Sequence, residues 1–223
     1  MNSKSPKKTL LIFDLDGTLL DTVDDLAAST NYALKTCGFP VHTSGDYHFF
    51  VGNGINKLFE RALPEGEKTQ ENIFQVRHHF LEHYGIHNSD LTKPYTGIAD
   101  LLLNLQNAGI KLAVASNKYQ KGTEKLVHYF FSEIHFIAIF GQRENVPTKP
   151  DPTIVYDILE IAKIEKQNVL YIGDSGVDML TAKNSGIEAV GVTWGFRPRT
   201  EMEEFSPKHI VDKPSEILPI VFH

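Results

Sequence analysis

Two carboxylates, Asp14 and Asp16, stand two residues apart directly after a short apolar run, and Gly17-Thr18 follows them. Past the end of a strand, both side chains can point into one crevice while the chain turns at the glycine. One carboxylate could then attack and the other could move a proton. A solvated Asp-Gly turn would use the same residues, so the rest of the chain has to decide. Three further polar clusters lie along it: Ser116-Asn117, Lys149-Pro150-Asp151-Pro152, and Gly173-Asp174-Ser175-Gly176-Val177-Asp178. Taken singly, each has a plain structural reading as a helix cap or a solvated loop lysine. Taken together, they place a hydroxyl, an amide, an ammonium and further acids at the carboxyl ends of successive strands, in order.

The elements that must position these groups follow from the hydrophobic pattern. Residues 9–13, 111–115, 134–140, 169–172 and 189–192 are short continuous apolar runs, as expected of strands buried on both faces. Between them, 98–108, 119–130, 152–162 and 176–185 carry helical periodicity, with Gly109 and Gly186 placed as C′ residues. The alternation predicts an α/β fold, a Rossmann-like open parallel sheet with helices on both faces. One stretch breaks the rhythm. Residues 24–36, 55–62 and 67–84 read as helices, punctuated by 38–40, 64–66 and Gly85. We therefore expect a small all-helical cap over 20–91, inserted after the first strand, and a catalytic core from 1–19 and 92–223. A cap there would sit over the carboxyl ends of the strands, where open sheets bind ligands.

Composition narrows the function. Apolar and charged residues make up 41% and 22% of the 223 residues, an ordinary globular balance. The formal net charge of −6 argues against nucleic acid and against a basic membrane patch. No stretch approaches the roughly 20 apolar residues of a membrane span, and the apolar run before Asp14 is too short for a secretory signal. Cys37 is the single cysteine, so a reducing, cytoplasmic setting is expected, as a monomer or homodimer.

In order and in residue type, the four clusters resemble the motifs of the haloacid dehalogenase superfamily across the whole chain. The resemblance implies that Asp14 is a nucleophile forming an aspartyl-phosphate. It makes Asp16 the acid that protonates the leaving alkoxide and then activates water. Thr18, Ser116 and Asn117 fall where the family holds phosphoryl oxygens, and Lys149 falls where it balances the charge. Asp14, the Asp16 carbonyl, Asp174 and Asp178 fall at its Mg²⁺ site. The chemistry needs such groups, because a carboxylate approaching a phosphate dianion must be relieved of repulsion. An acid at position 16 places the chain with the phosphatases and phosphomutases of the superfamily.

Within the superfamily, Val51-Gly52-Asn53-Gly54 through Glu60-Arg61-Ala62-Leu63, Thr96-Gly97 and Val190-Gly191-Val192-Thr193-Trp194-Gly195 resemble the phosphoglycolate phosphatase family. That implies a small phosphorylated metabolite as partner, 2-phosphoglycolate first. Gly52, Asn53 and Gly54 could present backbone N–H groups to it at a helix start, or could simply cap that helix. Lys57 could pair with a substrate carboxylate or lie on the surface. A pyrophosphatase and a β-phosphoglucomutase-like enzyme are the alternatives inside the superfamily. A signalling domain phosphorylated on Asp14 without turnover is the alternative outside enzymology.

Overall fold

The computed structural model describes residues 7–52 and 54–222. Its centre is a six-stranded sheet, every strand pair parallel, in the order β5-β4-β1-β6-β7-β8. The strands are β1 (Leu10–Phe13), β4 (Lys111–Tyr119), β5 (Phe136–Gln142), β6 (Val169–Gly173), β7 (Glu188–Val192) and β8 (His209–Val211). All four β1 side chains are fully buried, and their parity assigns them to opposite layers. Leu11 and Phe13 pack with α5 (Ile98–Asn107), α6 (Gln120–Phe130) and the C-terminal helix α10 (Ile217–Phe222). Leu10 and Ile12 pack with α7 (Thr153–Ala162) and α8 (Gly176–Ser185). Helices therefore cover both faces, and that two-sided burial is why the strands read as unbroken apolar runs.

The chain leaves this core at β2 (Leu20–Asp21) and returns at β3 (Lys93–Pro94), which pair antiparallel as a two-stranded crossing. Between them lie α1 (Val23–Thr36), α2 (Ser44–Phe50), α3 (Ile55–Ala62) and α4 (Gln70–His87). They enclose a hydrophobic cluster of their own, with Leu34, Tyr47, Phe59, Val76, Phe80 and Tyr84 at its centre. Asp25, buried on α1, accepts from the Leu91 and Thr92 backbone N–H groups and from the Thr92 hydroxyl, at 2.7–3.0 Å. That carboxylate ties the first cap helix to the returning strand.

Several boundaries differ from the sequence reading for local reasons. Helix α4 starts at Gln70 because the Thr69 hydroxyl accepts the Asn72 N–H as its N-cap, and it runs through Gly85, which does not end it. Helix α2 was not expected, since its residues show no apolar stripe. It forms because the Asp46 carboxylate accepts from the Thr43 N–H and hydroxyl, while Tyr47 is buried with its hydroxyl on Asn31. Strand β4 continues through Ser116 and Asn117, with an irregular register before Tyr119 pairs with Gln142. The short β7–β8 pairing and helix α9 (Arg199–Glu203) complete the far edge. Among the described residues no helix is long and apolar enough to cross a membrane.

Candidate active site

Strand β1 delivers Asp14 to the carboxyl edge of the sheet. Its N–H donates to the Ile172 carbonyl at 2.9 Å, so Asp14 continues the ladder rather than floating on a loop. Gly17 follows at φ +87°, and a Cβ there would meet Asp174 Oδ2 at 2.4 Å. Only glycine allows both the left-handed turn and the close approach of the two motifs. Asp174 and Asp178 come from β6 and the first turn of α8, where Ser175 and Asp178 form a reciprocal cap.

The three carboxylates Asp14, Asp174 and Asp178 are buried, with an oxygen from each lying within 4.8 Å of the others. Lys149 alone bridges two of them, its Nζ standing 2.8 Å from Asp14 and 2.7 Å from Asp178, and it also donates to the Ala115 carbonyl. The charges do not balance. Burial above all, with Asp178 and Asp16 adding to it against the opposing pull of Lys149, pushes the Asp14 carboxyl up to about 7. Burial, then Asp178 and Asp14, hold Asp174 well above the usual carboxylate range. Burial would lower the Lys149 ammonium, but the two acids outweigh it and raise it.

Such a cluster of hard oxygens with too little positive charge fits a divalent cation of the Mg²⁺ type. Asp14, Asp174 and Asp178 are the side chains that would hold it. The raised carboxyls give a test. A group that binds its proton more tightly in the folded state makes stability fall as pH rises from its ordinary value, about 4, towards 7. Mg²⁺ requires the deprotonated acids, so its binding tightens over the same window. Saturating Mg²⁺ is therefore expected to raise the melting temperature more at pH 8 than at pH 5. Equal shifts at both, in a calorimetric scan, would mean that these acids are not the ligands.

Asp16 points away from this cluster. Its carboxylate accepts from the Thr22 hydroxyl at 2.8 Å and pairs with Lys118 at 3.1 and 3.2 Å. Lys118 is buried and lies 4.7 Å from the Tyr84 ring of the cap. Neither Thr22 nor Lys118 was found from the sequence. Lys118 lies two residues past Ser116, where the strand register is irregular and residues 116–119 all reach the cavity, so strand alternation gave no signal for it. The Ser116 hydroxyl oxygen accepts the Lys118 N–H, which leaves its own O–H for the cavity.

Two expected phosphate contacts are occupied otherwise. The Asn117 side chain grips the Lys149 main chain, donating to its carbonyl at 3.0 Å and accepting its N–H at 2.8 Å. It thereby positions the lysine. Thr18 is fully buried, its hydroxyl 3.5 Å from Asp174 Oδ1, and it contributes to holding that acid.

One cavity joins these groups to the cap. Its floor includes Asp14, Asp16, Ser116 and Lys149, and its roof includes Leu26, Ile55, Leu58, Phe80 and Tyr84. Gly52 and Gly54 line it at φ +112° and +86°, and a Cβ on Gly54 would come within 3.9 Å of the Asn117 carbonyl. Asn53 lies outside the described residues. Lys57 does not reach the cavity: it pairs with Glu60 at 2.6 Å on the outer surface, which corrects its expected substrate role. Arg197, unanticipated, does reach it from the core. A second carboxylate–imidazole group, His78, His79 and Glu82, sits on the outside of α4 away from the cavity.

This fold, with an aspartate ending its first strand and a lysine and paired acids at the same sheet edge, is that of a class of hydrolases. The chain belongs to the haloacid dehalogenase-like hydrolase family, whose profile matches residues 11–192. It is 32% identical over 210 residues to the phosphoglycolate phosphatase of Mesorhizobium japonicum, covering 92% of this chain and 90% of that one. Against the phosphoglycolate phosphatase of Vibrio cholerae it is 32% identical over 217 residues, covering 95% and 96%. A crystal structure of a predicted phosphoglycolate phosphatase from Haemophilus somnus superposes with a TM-score of 0.88, at 29% identity over 96% of this chain and 98% of that one.

Proposed function

We propose that the protein is a Mg²⁺-dependent phosphatase of small phosphomonoesters, 2-phosphoglycolate first, working through an aspartyl-phosphate on Asp14. The observation that carries this is the Asp14 carboxylate on the cavity floor, 2.8 Å from Lys149, with Asp16 held separately by Thr22 and Lys118. In the first half-reaction Asp14 attacks phosphorus, the ester P–O bond breaks, and the Asp16 carboxyl gives its proton to the departing alkoxide. In the second, Asp16 takes a proton from water, which attacks the phosphorus and frees Asp14 and inorganic phosphate. Lys149 offsets the charge that nucleophile and phosphate bring together, and the Ser116 hydroxyl donates to a phosphoryl oxygen. A bound Mg²⁺ supplies charge neutralisation and alignment of the phosphoryl group at the Asp14, Asp174 and Asp178 oxygens.

The cap side of the cavity supports a small leaving group. Leu26, Ile55, Leu58 and Phe80 give a hexose few hydrogen-bond partners, so its hydroxyls would lose water there without replacement. Lys118 and Arg197 offer cations to a short carboxylate. We place the reaction in the cytoplasm among small phosphorylated metabolites, carried out by a monomer or a homodimer.

The test is phosphate release from 2-phosphoglycolate, pyrophosphate, β-glucose 1-phosphate and p-nitrophenyl phosphate, with and without Mg²⁺. We expect Mg²⁺-dependent release with the highest kcat/KM for 2-phosphoglycolate. Release led by pyrophosphate or the sugar phosphate would overturn the reading of the cap. A long-lived phosphorylated Asp14 with no release from any of them would favour the signalling alternative.

A further inference from the structure

Residues 194–197, just past β7, touch the Gly17–Thr18 turn, Asp174 and the cap. The Trp194 indole N–H donates to the Thr18 carbonyl at 3.0 Å. Gly195 is pressed so closely on the acid cluster that a Cβ would lie 2.3 Å from both the Asp174 Cβ and the Gly17 carbonyl. The Phe196 N–H donates to Asp174 Oδ2 at 2.7 Å. Yet the Phe196 ring belongs to the cap: it is buried in the cap's hydrophobic cluster, with the His48 ring edge-on at 5.7 Å. Arg197, the next residue, donates from Nη2 to the cap carbonyl of Val51 at 2.7 Å and would be met at 3.0 Å by a Cβ on Gly52. Arg61, on α3, donates to the carbonyls on either side, Phe50 and Gly52.

We infer that residues 194–197 are a coupling strap through which docking of the cap positions the metal ligand Asp174, an inference that rests on the Mg²⁺ role proposed above. Phe196 is the pivot. Its amide and its ring are joined through one Cβ, so while packing in the cap cluster holds the ring in its rotamer, a shift of the cap is passed to the amide that fixes the carboxylate. The glycine before it leaves no slack, because Gly195 is already in contact with Asp174 and Gly17. Arg197 fixes the docked position by holding the Val51 carbonyl. Phe196 and Arg197 are thus positioning residues. By linkage, whatever docking does to Mg²⁺ affinity, Mg²⁺ does to docking by the same factor.

The experiment pairs Mg²⁺ calorimetry with amide hydrogen exchange of residues 48–52, on the full chain. In the wild type, Mg²⁺ is expected to slow exchange in 48–52 by at least about fivefold, the low end of ordinary site-to-site coupling. In Arg197→Met and in Phe196→Ala, saturating Mg²⁺ still binds, about fivefold more weakly, and the slowing disappears. Arg197→Lys, which keeps a donor for Val51, recovers part of it. Mg²⁺ binding to the wild type with no change in 48–52 would overturn the strap and leave the metal reading standing. Variants that raise KM but keep the full exchange response would also overturn it, making Arg197 a substrate contact only. No Mg²⁺ binding at all would overturn both readings.

Discussion

Asp14→Asn is expected to fold as well as the wild type and to release phosphate at least about 10⁴-fold more slowly, as when a covalent nucleophile is removed elsewhere. Stability should survive because the substitution removes one of three crowded buried acids. Burial pushes the Asp14 carboxyl up to about 7, so an uncharged amide of the same shape meets the same burial without that cost. Lys149 keeps Asp178 at 2.7 Å as its partner. At pH 8 without metal, the variant is expected to melt no lower than the wild type. Initial rates together with a melting curve check both halves, and turnover within tenfold of wild type would end the nucleophile assignment.

Lys149→Met is expected to do the reverse to stability. The ammonium is buried, 4% exposed, and is the cation shared by Asp14 and Asp178. Removing one partner from a buried ion pair leaves charge without compensation and costs about 3–5 kcal/mol. Turnover should fall with it, since the repulsion between Asp14 and a phosphate dianion then loses one of the cations that offset it. Saturating Mg²⁺ is expected to restore much of the lost stability, because the cation replaces the missing charge among the same oxygens. Urea unfolding with and without Mg²⁺ measures this. A loss below about 1 kcal/mol, the level of an exposed pair, would mean that the lysine is solvated and the cluster less tightly coupled than its geometry indicates.

What was legible in the sequence was whatever the chain builds locally. Strand β1 announced itself because both of its faces are buried, and Asp14 was placed by following it. Helix α8 was bounded correctly because Ser175 starts it and Gly186, at φ +72°, ends it. Helix α2 was invisible because a capping pair and one buried tyrosine hold it, with no periodic stripe to see. Contacts made across the fold were equally hidden. Nothing near Asp16 in sequence points to Lys118, 102 residues away, and nothing in Ser116-Asn117 shows that the amide would be taken up by Lys149. Lys57 read as either a substrate contact or a surface lysine because it follows the 52–54 loop by one turn, and its pairing with Glu60 places it on the surface. The strap at 194–197 has its meaning only once the cap is seated on the core.

The central claim is that Asp14 carries the phosphoryl group during turnover. The direct measurement is acid quenching within the first turnover with 2-phosphoglycolate and Mg²⁺, followed by mapping of the phosphorylated peptide. The account predicts one phosphoryl group on the peptide containing Asp14, formed at least as fast as phosphate is released. Phosphate release with no phosphorylated peptide at any time, undiminished in Asp14→Asn, would contradict it.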